Sequence, residues 1–125
     1  MNTSKTSHPI QVYGIPNCET VKKARVWLTE QQQAYDFHDF KKIGVPTQAL
    51  ASWINAVGWE KLLNRKGTTW RKLDADIQAG AVDATSASNL MVAYPSVIKR
   101  PVVVWGNGAV TVGFDAETFK QASAA

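Results

Sequence analysis

The spacing of apolar residues changes abruptly near the start of the chain. Residues 9–13 (PIQVY) alternate apolar and polar side chains, which is typical of a short strand. After a turn over residues 14–17, apolar residues recur at helical spacing, at Val21, Ala24 and Leu28. The sequence therefore predicts a strand, a tight turn and a helix, with Cys18 at the helix entrance.

A second strand is predicted over Ala34–Asp39, where aromatic and polar residues alternate. The following segment, about residues 45–95, has helical spacing instead. Its clearest amphipathic helix begins near Pro46 and ends at Gly58. Shorter helices are predicted over Trp59–Leu63, Thr69–Leu73 and Ser86–Ala93.

The strand pattern returns near the end of the chain. Residues 102–105 form an apolar run, a Gly-Asn-Gly turn follows, and residues 110–114 alternate again. Asp115 can then cap a short final helix. Since an initial βαβ unit gives parallel strands and a hairpin gives antiparallel ones, the predicted fold is α/β: a thioredoxin-like mixed sheet with an inserted helical subdomain.

The length of 125 residues fits a single domain, with a core of about 9–40 and 98–122 and a helical insertion of about 45–95. The polar first nine residues lack a signal-peptide pattern, and no segment is apolar enough to span a membrane, so a cytoplasmic location is expected. The basic residues behind the net charge of +4 are spread along the chain, except for small groups such as Lys22, Lys23, Arg25 and Arg65, Lys66, which argues against nucleic acid as a partner.

Cys18 is the only cysteine, so no internal disulfide can form. Unpaired N–H groups at a helix N-terminus favour an anion, which lowers the pKa of a thiol there. Asn17 and Thr20 offer further hydrogen bonds to the sulfur or to a bound anion. The alternative is a small buried residue with no chemistry. Val21 excludes a CxxC motif, and one cysteine with two histidines offers no metal-ligand cluster.

Three further features leave alternatives open. The stretch LNRKGTTWRKL, residues 63–73, fits an anion-binding loop or a solvated helix junction. His38 fits a half-exposed strand residue better than a catalytic base. Arg100 precedes Pro101 at the start of a strand, and spacing alone does not decide between a cis and a trans bond there.

The motifs YGIPNCETVKKAR, LNRKGTTWRKL and IKRPVVVWGN together resemble the arsenate-reductase-like (ArsC) family of thioredoxin-fold proteins. The resemblance covers about residues 10–121 and is strongest to the small YffB-type branch related to the transcriptional regulator Spx. It implies that Cys18 is the nucleophile, that glutathione is the thiol partner, with glutaredoxin as a further candidate partner, and that a cis bond joins Arg100 to Pro101 beside the site.

The resemblance also distinguishes three functions. In the glutaredoxin-linked arsenate reductases three arginines surround the cysteine. Arg100 matches one of them, Asn64 takes the place of the second with Arg65 beside it, and the third falls near Gly113. The leading expectation is therefore a glutathione-dependent thiol reductase or transferase, with Asn17, Thr20, Arg65, Arg100 and Pro101 binding substrate or glutathione. The alternatives are an Spx-like protein that binds RNA polymerase, and an arsenate reductase.

Overall fold

The computed structural model describes residues 9–124, so the polar stretch 1–8 lies outside the described residues. The elements follow the chain in this order: β1 (Ile10–Gly14), α1 (Glu19–Glu30), β2 (Tyr35–Asp39), α2 (Phe40–Ile43), α3 (Thr47–Val57), α4 (Trp59–Leu62), α5 (Thr68–Lys72), α6 (Ala75–Ala79), α7 (Ala84–Ala93), a 3₁₀ turn (Pro95–Val97), β3 (Val102–Val104), β4 (Val110–Val112) and α8 (Ala116–Ala124). None of these helices is both long and apolar enough to cross a membrane.

The four strands form one sheet in the order β2-β1-β3-β4. β1 and β2 are parallel and joined through α1, whereas β3 pairs antiparallel with both β1 and β4. The predicted mixed sheet is therefore confirmed. β2 begins at Tyr35, one residue later than predicted, and β3 and β4 end before Trp105 and Phe114.

The chain forms two compact units, and the first comprises the residues up to Asp39 and from Arg100 onward. Its core combines residues of the sheet, α1 and α8 with Trp105, which directly follows β3: Ile10, Val12, Ala24, Leu28, Val103, Trp105 and Phe119. The Phe119 ring meets the rings of Trp105 and Phe114 edge-on, each with centroids 4.9 Å apart. This packing holds α8 against the core, because aromatic pairs in this geometry add to the energy of burial.

The second unit comprises Phe40–Lys99. Leu50 and Trp53 of α3 are buried, and the Trp53 ring lies 6.1 Å from that of Phe40. The helical prediction is confirmed for α3, which ends before Gly58. α7 begins two residues earlier than predicted because Asp83 caps it, accepting a hydrogen bond from the Ser86 N–H at 2.8 Å. The short helices α2 and α6 were not predicted.

Candidate active site around Cys18

Cys18 is the residue immediately before α1, where its carbonyl accepts a hydrogen bond from the Lys22 N–H at 2.9 Å. Its own N–H donates to the Ile15 carbonyl across the turn at 3.3 Å. The side chain is half-buried rather than enclosed in the core. The predicted place of Cys18 at the helix entrance is confirmed, and the structure adds that its side chain is partly exposed.

Several groups compete to set the pKa of the Cys18 thiol. Partial burial raises the pKa, because it disfavours the charged thiolate. Hydrogen bonds from the Val21 N–H and the Arg100 side chain lower it, as do the positive charge of Arg100 and the Thr20 N–H. The lowering contributions prevail, so the thiol pKa lies below its ordinary value. A larger thiolate fraction near neutral pH follows, and the thiolate is the nucleophilic form.

Arg100 reaches the thiol through the register of the sheet. β3 pairs antiparallel with β1 so that Val102 stands opposite Tyr13, which brings the residue before Pro101 to the carboxyl end of β1. The Arg100–Pro101 bond is cis, as the resemblance implies. Arg100 Nε and the Pro101 side chain are buried. The guanidinium is thus attached to the sheet and not to a loose loop.

Gly14 permits the close approach of β1 to the first turn of α1. A Cβ built on Gly14 would lie 2.9 Å from Cγ2 of Val21 and 3.9 Å from Cβ of Arg100. Val21 is fully buried and branched at Cβ, so its side chain has little freedom to move aside. Position 14 therefore requires glycine, because any Cβ there would be too close to the Val21 side chain.

We expect Gly14→Ala to destabilise the protein by about 1–3 kcal/mol, the usual cost of overpacking a core. It should also slow alkylation of Cys18, because Val21 carries one of the N–H groups that bond to the sulfur. Urea unfolding measures the first effect and iodoacetamide kinetics the second. In a Val21→Ala background, Gly14→Ala should lower the free energy of unfolding by less. An equal loss in both backgrounds would show that the contact with Val21 is not the cause.

Thr20, Val21 and Asn17 are the other residues near the turn, and Thr20 acts on the Cys18 sulfur through its backbone N–H and not through its side chain, which is exposed. The Val21 N–H is one of the unpaired N–H groups at the helix N-terminus that were predicted to lower the thiol pKa. Asn17 is exposed, and its contact with a bound anion stays a prediction.

Arg65 belongs to the second unit, where it is exposed. Its guanidinium carbon lies 5.6 Å from the ring centroid of Trp59 and 5.8 Å from that of Trp70. Residues 59–72 hold five Lys or Arg and one Glu, so this segment alone carries a net charge of +4, equal to that of the whole chain. The small basic group predicted at Arg65 and Lys66 is therefore part of a longer basic segment.

His38 is a half-buried strand residue, as predicted. Its Nε2 lies 2.6 Å from Oε1 of Gln11, and its ring stacks on Tyr13 with centroids 4.4 Å apart. Among residues 9–124 no group of three His, Cys, Asp or Glu side chains could hold a metal ion.

Comparison with known proteins gives matches over most of the chain. The model of the ArsC family matches residues 13–122. A protein of Haemophilus influenzae is 36% identical over 92% of this chain and 99% of its own length. The solved structure of a YFFB protein superposes with a TM-score of 0.84 at 46% identity, covering 90% of this chain and 97% of that one. The global transcriptional regulator Spx of Streptococcus mutans is 23% identical over 84% of this chain and 76% of its own.

Proposed function

Because this chain belongs to the ArsC family, we propose that it is a glutathione-dependent thiol oxidoreductase in which Cys18 is the nucleophile. The observation that supports this most strongly is the convergence on one sulfur of the Arg100 guanidinium and two backbone N–H groups, which together lower the thiol pKa. Thiol catalysis needs this environment, whereas a structural cysteine gains nothing from it.

The proposed reaction proceeds by thiol–disulfide exchange. The Cys18 thiolate attacks one sulfur of a disulfide substrate, forming a mixed disulfide and releasing the other half as a thiolate, which takes a proton from water. A glutathione thiolate then attacks the Cys18 sulfur and releases the second half of the substrate. A second glutathione attacks the glutathione sulfur, so that glutathione disulfide leaves and the Cys18 thiolate is restored. Two glutathione molecules are thereby oxidised for each disulfide reduced.

Arg100 has two roles in this proposal. Its charge stabilises the Cys18 thiolate both before attack and when the thiolate leaves in the last step. Its planar guanidinium is also suited to hold a carboxylate of glutathione or an anionic substrate. Asn17, Thr20, Arg65 and Pro101 are the further residues we propose for these contacts. Glutaredoxin is the proposed alternative acceptor of the glutathione bound to Cys18.

The pH dependence of Cys18 alkylation by iodoacetamide tests the proposal. Since the thiol pKa lies below its ordinary value, the rate should rise with pH and level off at lower pH than the rate for the unfolded chain in urea. Oxidised glutathione should add one glutathione to Cys18, as seen by intact-mass spectrometry. A folded protein that alkylates no faster than the unfolded chain at neutral pH and forms no adduct would exclude a thiol enzyme.

A second candidate function is Spx-like interaction with RNA polymerase. It is supported by the similarity to Spx and by the net charge of +4 concentrated in residues 59–72, which favours an acidic surface on a partner. Co-purification of polymerase subunits with the tagged protein, unchanged by Cys18→Ser, would favour this function. Loss of the association with Cys18→Ser would tie it to the thiol instead.

Arsenate reduction is the third candidate. Gly113, near the expected place of one arginine of the arsenate reductases, supplies no side chain, which argues against tight arsenate binding. Incubation with arsenate, glutathione and glutaredoxin decides the question by whether arsenite forms. We expect none above the level produced by Cys18→Ser.

A further inference from the structure

A shallow cavity lies along the C-terminal half of α1, against the start of β2. It has a volume of about 300 Å³ and is lined by Arg25, Val26, Thr29, Glu30 and Tyr35. This volume is at the lower end of the range for small-molecule sites. Arg25 follows Cys18 by two helical turns, about 10 Å along the axis, so the cavity is separate from the thiol.

The guanidinium of Arg25 is held in one orientation before any ligand arrives. Its carbon lies 4.2 Å from the ring centroid of Phe37, and its Nε donates a hydrogen bond to the Tyr35 hydroxyl at 3.0 Å. The side chain is half-buried. A ligand would therefore lose little free energy in ordering this side chain, because the two contacts already fix it.

The outer edge of the same guanidinium is available to a ligand. Of its five N–H groups only the one on Nε donates a hydrogen bond within residues 9–124. The four on Nη1 and Nη2 therefore remain available to a ligand. Glu30 lines the cavity, yet it forms no ion pair with Arg25 in that part of the chain. Two parallel N–H groups of this kind match the two oxygens of a carboxylate.

An apolar surface lies beside this charge. Val26 is 54% exposed, and it lines the cavity together with the Tyr35 side chain. A simple inorganic anion would leave this surface in contact with water. A carboxylate that carries a short apolar group would cover it and gain from the burial.

We propose that this cavity binds a small free carboxylic acid with a short apolar body, of about the size of 3-phenylpropionate. The carboxylate pairs with Nη1 and Nη2 of Arg25, and the apolar body lies on Val26 and the Tyr35 ring. The site is independent of the thiol chemistry proposed for Cys18.

Titration of ¹⁵N-labelled protein with 3-phenylpropionate, followed by amide chemical shifts, tests this proposal. We expect saturable shifts confined to the amides around Arg25, Val26 and Tyr35. The amide analogue 3-phenylpropanamide has nearly the same shape but no charge, so it should bind at least about tenfold more weakly. Equal binding of acid and amide, shifts centred on Arg100 instead, or no saturation at millimolar acid would each overturn the proposal.

Three variants test whether Arg25 is the residue that binds the carboxylate. Arg25→Gln should weaken binding of the acid about tenfold or more while leaving the alkylation rate of Cys18 unchanged. Arg25→Lys keeps the charge but lacks the planar pair of donors, so its affinity for the acid should lie between those of Arg25→Gln and the unsubstituted protein. Cys18→Ser should bind the acid like the unsubstituted protein, which separates this site from the thiol. Undiminished binding of the acid by Arg25→Gln would refute the assignment. If that variant fails to fold, Arg25→Lys and the comparison of acid with amide still test whether Arg25 binds the carboxylate.

Discussion

Replacing Cys18 with serine is expected to reduce glutathione-dependent turnover of a disulfide substrate on the order of a thousandfold or more, to background. The hydroxyl has nearly the same size as the thiol, but its pKa is far too high for Arg100 and two N–H groups to yield an oxyanion near neutral pH. The nucleophile would then be absent, while the groups that stabilise it remain in place. Release of thiol from bis(2-hydroxyethyl) disulfide, coupled to glutathione reductase, measures the loss.

The fold of this variant should be intact, because the Cys18 side chain is half-buried and outside the hydrophobic core of the first unit. The free energy of unfolding in urea should change by about 1 kcal/mol or less near neutral pH. Cys18→Ala serves as a matched control that removes the polar atom as well. Substantial turnover in both variants would mean that another group carries the reaction and that Cys18 is not the nucleophile.

Replacing Arg100 with methionine is expected to slow alkylation of Cys18 at neutral pH by about tenfold or more, because an adjacent opposite charge commonly shifts a pKa by at least that factor. Methionine keeps an unbranched apolar stem but removes the charge and the hydrogen bond to the sulfur. The rate at high pH, where every thiol is ionised, should stay close to that of the unsubstituted protein. The full pH profile of the alkylation rate distinguishes these two regimes.

Arg100→Lys is the matched control for this prediction. It keeps a positive charge but lacks the planar fork, so its profile should lie between those of Arg100→Met and the unsubstituted protein. A substitution that merely loosened the fold would change the rate at every pH. A profile of Arg100→Met that coincides with the unsubstituted one would show that the guanidinium does not set the thiol pKa.

The lowered pKa also predicts a dependence of stability on pH. A group whose pKa is lower in the folded than in the unfolded protein contributes stability that is fully present above the unfolded pKa and is lost as pH falls through the folded pKa. The difference in urea midpoint between the unsubstituted protein and Cys18→Ser should therefore grow as pH rises across that window. Arg100→Met should reduce this growth, because it removes one cause of the lowered pKa.

Much of the fold could be predicted from the sequence. The change from alternating to helical spacing around Gly14 placed the βαβ unit, and the apolar run after Pro101 placed the hairpin that makes the sheet mixed. Helices α2 and α6 were missed, since they have four and five residues and show no amphipathic period. Elements this short depend on tertiary packing for their stability and leave little local signal.

The candidate site was only partly predictable. Arg100 was singled out from the resemblance, but its bond to the Cys18 sulfur depends on the pairing of β3 with β1. The need for glycine at position 14 likewise arises from the approach of Val21, which no pattern in the sequence indicates. Arg65, predicted as a ligand for an anion, lies over two tryptophans of the second unit.

The strands, the longer helices, the mixed sheet and the place of Cys18 before α1 could all be read from the sequence, because each follows from local spacing and from chain order. Which groups meet the sulfur and lower its pKa depends on the tertiary structure instead. Hydrogen bonds and charges act over a few ångströms in space. Residues as distant along the chain as Cys18 and Arg100 therefore act on each other only after the sheet has brought them together.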